Sequence, residues 1–190
     1  MDSLELDLHL PALVIQRESM RLGVQFFKKN NRFGHVVSFG REDQLYKLVS
    51  YCEEETEWPR NPPIQDVHFE DRDQSRVLLG VGMAGRSHYS ISIRSDLTTT
   101  LEFEFACHIK SRAEFLGTQY FLADNGSSAH RQQLPGSESL ARHFRARAGS
   151  QLNLADNLKP SNLEASLRLL PEVMPNSFPA TVEWGLTARI

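Results

Sequence analysis

Nothing in this chain approaches the run of about 18 apolar residues that a helix needs to span a membrane, and no membrane segment is expected. Cysteine is scarce. Cys52 and Cys107 are the only two, too few for a disulfide scaffold, and reduced thiols are the expectation. Charge of one sign is also lacking: 21 Lys and Arg stand against 24 Asp and Glu, for a net charge of -3. With a pI near 6.2 there is no broad positive field, so nucleic acid is not an expected partner. A secretory leader is not expected either. Met1-Asp2-Ser3-Leu4-Glu5 is acidic where a secretory signal is basic and then apolar, which reads as a soluble, cytoplasmic protein. The 11 Gly and 9 Pro are too few for a collagen-like chain, and 40% hydrophobic residues are too many for a wholly disordered one. What remains is 190 residues, enough for a substantial core.

Alternation of apolar and polar side chains, the mark of half-buried strands, dominates from the start. Leu4, Leu6, Leu8 and Leu10 alternate with Glu5, Asp7 and His9. Further strands are expected at 20–27, 35–39 and 46–52, with a polar turn at 28–34. Trp58-Pro59-Arg60-Asn61-Pro62-Pro63 then interrupts the pattern, because proline cannot donate to a central ladder. This segment is the candidate subdomain connector. The 58 residues before it are marginal alone, so one domain over 1–190 is preferred.

Between residues 64 and 109 four strands with short turns predict an antiparallel meander. Its odd-numbered residues from Val67 onward, through Val77, Val81, Ile91 and Phe105, are expected in the core. One face is then almost purely aliphatic and aromatic, and a second sheet is the economical cover. The expected fold class is therefore all-β, an antiparallel two-sheet β-sandwich, with room for one short helix. Residues 161–174 carry both signals: Ser161-Asn162-Leu163-Glu164 fits a capping box, while Leu163, Ala165, Leu167 and Leu169 alternate. A strand in a hairpin with the alternating C-terminal strand at 182–190 is preferred. Residues 124–138 read as a long polar loop.

The polar face of the meander holds the candidate chemistry. Tight turns would pair Glu70 with Arg76, Arg76 with Arg94 and Arg94 with Glu102, a solvated row of ion pairs. The same register sets His88 between Gly82 and His108, close enough for two imidazoles to share a proton or an ion. His68 lies about 16 Å from that pair by strand geometry, too far to complete a metal site, and no metal or other cofactor is expected. Asp66, His68 and Glu70 share one face of a strand, as charges that deter edge pairing do. Gly82-Met83-Ala84-Gly85-Arg86-Ser87-His88 fits neither a phosphate-binding loop nor a nucleophile elbow and reads as a hairpin turn. Cys107 belongs to the apolar face, and Cys52 precedes Glu53-Glu54-Glu55, so neither thiol suits a nucleophile. Arg142, His143, Arg145 and Arg147, with Phe144 interleaved and Arg131 upstream, form the most basic stretch.

These features favour a non-enzymatic interaction module that holds a protein or small-molecule partner, with Arg86, Ser87, His88 and His108 as candidate contact residues. Two other readings remain open. One is a hydrolase or metal-assisted enzyme working near His88 and His108. The other is an anion-binding protein using Arg86 and the 142–147 stretch.

Overall fold

The structure, a computed structural model, describes residues 10–72, 75–96, 98–123, 137–154 and 166–190. Across these residues the chain is all-β, with one helix of 7 residues. The first part supplies β1 (Ala12–Arg17), β2 (Met20–Lys29), β3 (Arg32–Arg41) and β4 (Gln44–Ser50). The meander follows as β5 (Ile64–Arg72), β6 (Ser75–Ala84), β7 (Ser87–Ser95) and β8 (Thr100–Ile109). Then come β9 (Thr118–Leu122), helix α1 (Ser137–His143), β10 (Phe144–Ala146) and β11 (Ser150–Leu154). The last two strands are β12 (Leu167–Pro171) and β13 (Ala180–Arg189). None of the described helices is long and apolar enough to cross a membrane. All of the strand expected at 4–10 except Leu10, most of the loop at 124–138 and the first residues of 161–174 lie outside the described residues.

The expected two-sheet sandwich is replaced by one antiparallel sheet of 13 strands that nearly closes into a barrel. Its order runs β10-β13-β8-β7-β6-β5-β3-β4-β9-β12-β11, with β2 and then β1 branching from β3. β10 and β11 stand at opposite ends of that order yet are joined by residues 147–149 alone, so the two ends meet. There the Arg147 backbone N–H donates to the Gly185 carbonyl at 3.0 Å, and the Gly185 N–H donates to Ser150 Oγ at 2.8 Å. The apolar face of the meander does need a cover, but the same sheet curls round to supply it. Closure of this kind also removes most of the exposed sheet edge. The strand within 161–174 is β12, and it pairs with β9 and β11 rather than in a hairpin with β13.

Inside the barrel, Phe26, Phe39, Phe103, Phe105 and Tyr120 are among the largest fully buried side chains. Trp184 stacks on Phe105 with ring centroids 5.9 Å apart, and its indole N–H donates to Thr118 Oγ1 at 3.0 Å, linking β13 to β9. Helix α1 and β10 contribute Leu140 and Phe144, the latter edge-on to Phe39 at 5.0 Å. The proline segment at 58–63 is tied down by Asn61, which is buried. Asn61 Oδ1 accepts from Ser50 Oγ at 3.1 Å and from the Gln119 N–H at 2.6 Å, while Nδ2 donates to the Tyr51 carbonyl at 2.8 Å.

The meander forms where expected, and its β7 and β8 bury odd-numbered residues, as read from the sequence. β6 is reversed. Ala84 opposes Ser87 across a two-residue turn of Gly85 and Arg86, with Gly85 at φ 55, so the even-numbered residues of β6 face inward. Leu78, Gly80, Gly82 and Ala84 are buried, while Val81 is 47% and Met83 44% exposed. The expected partners shift accordingly: Glu70 opposes Val77, Val77 opposes Arg94, and Met83 rather than Gly82 opposes His88. The Arg94–Glu102 and His88–His108 pairings stand as expected.

The inward glycines of β6 are set by close approach. A Cβ on Gly82 would lie 1.9 Å from the Pro63 carbonyl oxygen, a backbone atom that cannot swing aside. Gly82→Ala is therefore expected to cost about 3 kcal/mol, the upper part of the usual overpacking range. Urea unfolding measures it; a loss under about 0.5 kcal/mol would show that the backbone of β5 yields and that the contact is not tight.

Candidate functional site

The candidate contact residues divide between the two faces of the sheet. His88 and His108 oppose each other on the outer face, with His108 Nδ1 3.3 Å from Thr181 Oγ1. Arg86 stands exposed in the hairpin turn. Ser87, one residue from His88, points the other way: it is 1% exposed and its hydroxyl has no hydrogen-bond partner among the described residues. Alternation along a strand thus separates the hydroxyl from both imidazoles. His68 sits on the outer face opposite Leu79, two strands over and four residues along from His88, about 16 Å from His88 and about 20 Å from His108 by strand spacing. Among the described residues no group of three or more His, Cys, Asp and Glu side chains could hold a metal ion.

The basic stretch is spent on structure. His143 Nδ1 lies 2.9 Å from the Arg189 carbonyl oxygen, and Arg189 Nε donates to the Arg142 carbonyl at 3.1 Å. Arg147 crosses the outer face to reach Glu104 at 2.8 Å and Glu102 at 3.3 Å, where Arg94 meets the same two carboxylates at 2.8 and 3.2 Å. Two guanidinium groups and two carboxylates cancel in this network. By register Arg86 lies about 22 Å from Arg147, so the turn and the basic stretch do not converge. The buried thiols are likewise muted. Burial pushes Cys107 up to about 11, and it raises Cys52 too, against the opposing effect of the Arg32 guanidinium at 3.1 Å.

What the structure does assemble is an outward groove of about 620 Å³ across β5–β8 and β13. Ser90, Ser92 and Ala106 are small and form its floor; Leu79 and Val81 flank it on one side, Arg147 and Glu183 on the other. The reversal of β6 makes it. Leu79, Val81 and Met83 face outward, where a solvated strand would carry polar side chains, while Val77 on the same side is buried. The signal was present in the sequence as a run, from Val77 to Ala84, that is apolar or glycine on both faces. Of the residues singled out earlier, His68 and Arg147 line the groove.

Comparison with protein-family models, curated proteins and solved structures finds no match to this chain. The class that fold and site define is an all-β, nearly closed barrel with a groove on its outer face.

Proposed function

We propose that this protein is a cytoplasmic, non-enzymatic binding module whose outward groove holds a partner protein segment or a small molecule. The carrying observation is the apolar outer strip of β6: Val81, beside the groove's floor of small residues, is 47% exposed, and Met83, two residues further along, is 44% exposed. Side chains of this kind lose contact with water when a partner covers them, and contiguous exposed apolar surface on a folded domain marks an interaction site. Binding is preferred to hydrolysis by Ser87 with His88 and His108 because that hydroxyl lies on the opposite face from both imidazoles. It is preferred to anion capture because Arg147 is already neutralised and far from Arg86.

Amide chemical shifts of the protein, recorded against a library of small fragments and short peptides, test this reading. Responses are expected to cluster at Val81, Ser90 and Ala106. Val81→Glu should abolish them while changing unfolding free energy by no more than about 0.5 kcal/mol, as an exposed position allows. Responses scattered over the surface would overturn the proposal. So would hydrolysis of p-nitrophenyl acetate or phosphate that is lost in His88→Ala and kept in Arg86→Ala.

A further inference from the structure

The groove has a charge pattern that its shape does not require. One continuous cross-strand row runs Asp66–Val81–Ser90–Ala106–Glu183, over β5, β6, β7, β8 and β13. Each of these residues is on the outer face, and the row has a carboxylate at either end and apolar or small residues between. Four strand spacings of about 4.8 Å put the two carboxylate-bearing positions about 19 Å apart along the sheet.

Both carboxylates are exposed, and neither has an ion pair or side-chain hydrogen bond among the described residues. The row beside it, toward Arg94, contains Glu104, whose charge is cancelled by Arg94 and Arg147. On the other side lie His88, His108 and Thr181. The uncompensated permanent charge along this row is thus negative and confined to its two ends: Glu183 lines the groove, and Asp66 stands one strand beyond Val81.

Resting on the reading of the groove as a binding surface, we infer that its occupant is an extended peptide segment with basic side chains at both ends and apolar ones between. An extended chain rises about 3.3 Å per residue, so basic residues six positions apart span the row, and the even spacing keeps them on one face. Apolar side chains at the second and fourth positions between them then meet Val81 and the floor at Ser90 and Ala106. A second copy of this chain suits the face less well. A two-fold arrangement across the row sets carboxylate ends against carboxylate ends, which like charges oppose.

The probe is the acetylated and amidated peptide Lys-Thr-Val-Thr-Val-Thr-Lys, titrated into the full chain and followed by amide shifts and calorimetry. A control peptide has Glu in place of both Lys. The lysine peptide is expected to saturate with shifts at Val81, Ser90 and Ala106, to bind at least tenfold more tightly than the control, and to weaken as salt rises. Glu183→Gln and Asp66→Asn, both at exposed positions, should each weaken it at least threefold, and together tenfold or more.

Equal binding of the two peptides, or unchanged affinity in the double variant, would overturn the basic-peptide inference and leave the groove as a binding surface. Shifts at those three residues that vanish on dilution without any peptide would identify a second copy as the occupant, which also overturns it. If neither peptide nor any library compound moves those residues, the inference and the binding reading fail together.

Discussion

Phe103→Ala and Phe105→Ala are each expected to lower the unfolding free energy by about 3–5 kcal/mol, as truncations of core aromatics do. Both rings are fully buried on the inner face of β8, at 0% and 1% exposure. Phe105 stacks on Trp184, and both rings approach His35, with centroids 6.2 and 6.3 Å away. The space left by either ring is walled by strands from three parts of the chain, held together by the ladder, and cannot collapse cheaply. Denaturant unfolding gives the value directly. Losses below about 1 kcal/mol at both positions would mean that the barrel interior is not packed as described.

Acid is expected to destabilise the protein through one interior group. His35 sits among Phe26, Phe103, Phe105 and Tyr120, with Nε2 2.9 Å from the Tyr120 hydroxyl. Burial drives its pKa down from 6.5 to about 3, because an imidazolium there would lose its hydration. In the unfolded chain the ring takes its proton near pH 6.5; in the native barrel only near pH 3. Between these values the unfolded state binds the extra proton. The stability supplied by neutral His35 is therefore complete above about pH 6.5 and declines by about 1.4 kcal/mol per pH unit below it. About 2 kcal/mol should be gone at pH 5.

Urea titrations at pH 7, 6 and 5 on wild type, His35→Gln and Tyr120→Phe separate this contribution from surface carboxylates. The steep part is expected to disappear in His35→Gln, which cannot titrate. It should persist in Tyr120→Phe, which keeps the ring buried. Identical pH profiles for wild type and His35→Gln would show that His35 is reached by solvent.

The histidine pair shows how far sequence reasoning carries at a site. His88 and His108 could be set opposite each other from strand parity alone, because β7 and β8 alternate cleanly and one face of each is polar. β6 offered no such contrast. Val77, Leu79 and Val81 are better core residues by composition than Leu78, Gly80 and Gly82, so composition alone points them inward. A turn of Gly85 and Arg86 alone reverses that parity, and a one-residue change moves every side chain of a strand to the other face. Packing favours the reversal: the glycines belong inside, where Pro63, Ile64, Val67 and Ile91 crowd the strand.

By itself, the sequence determined the all-β class, the meander and the buried faces of β7, β8 and β13, since alternation with period two is written locally along each strand. Tertiary structure decided the rest. Near-closure of the sheet at Arg147 and Gly185, the pairing of β12 with β9 and β11, the meeting of His35 with Tyr120 and the outward turn of β6 each depend on register and on contacts between distant segments. Hydrogen-bonding groups along a strand are alike at every residue, so they do not encode which strand, or which parity, will be their partner. That choice is made by the packing of the whole barrel, and here it left an apolar strip facing outward.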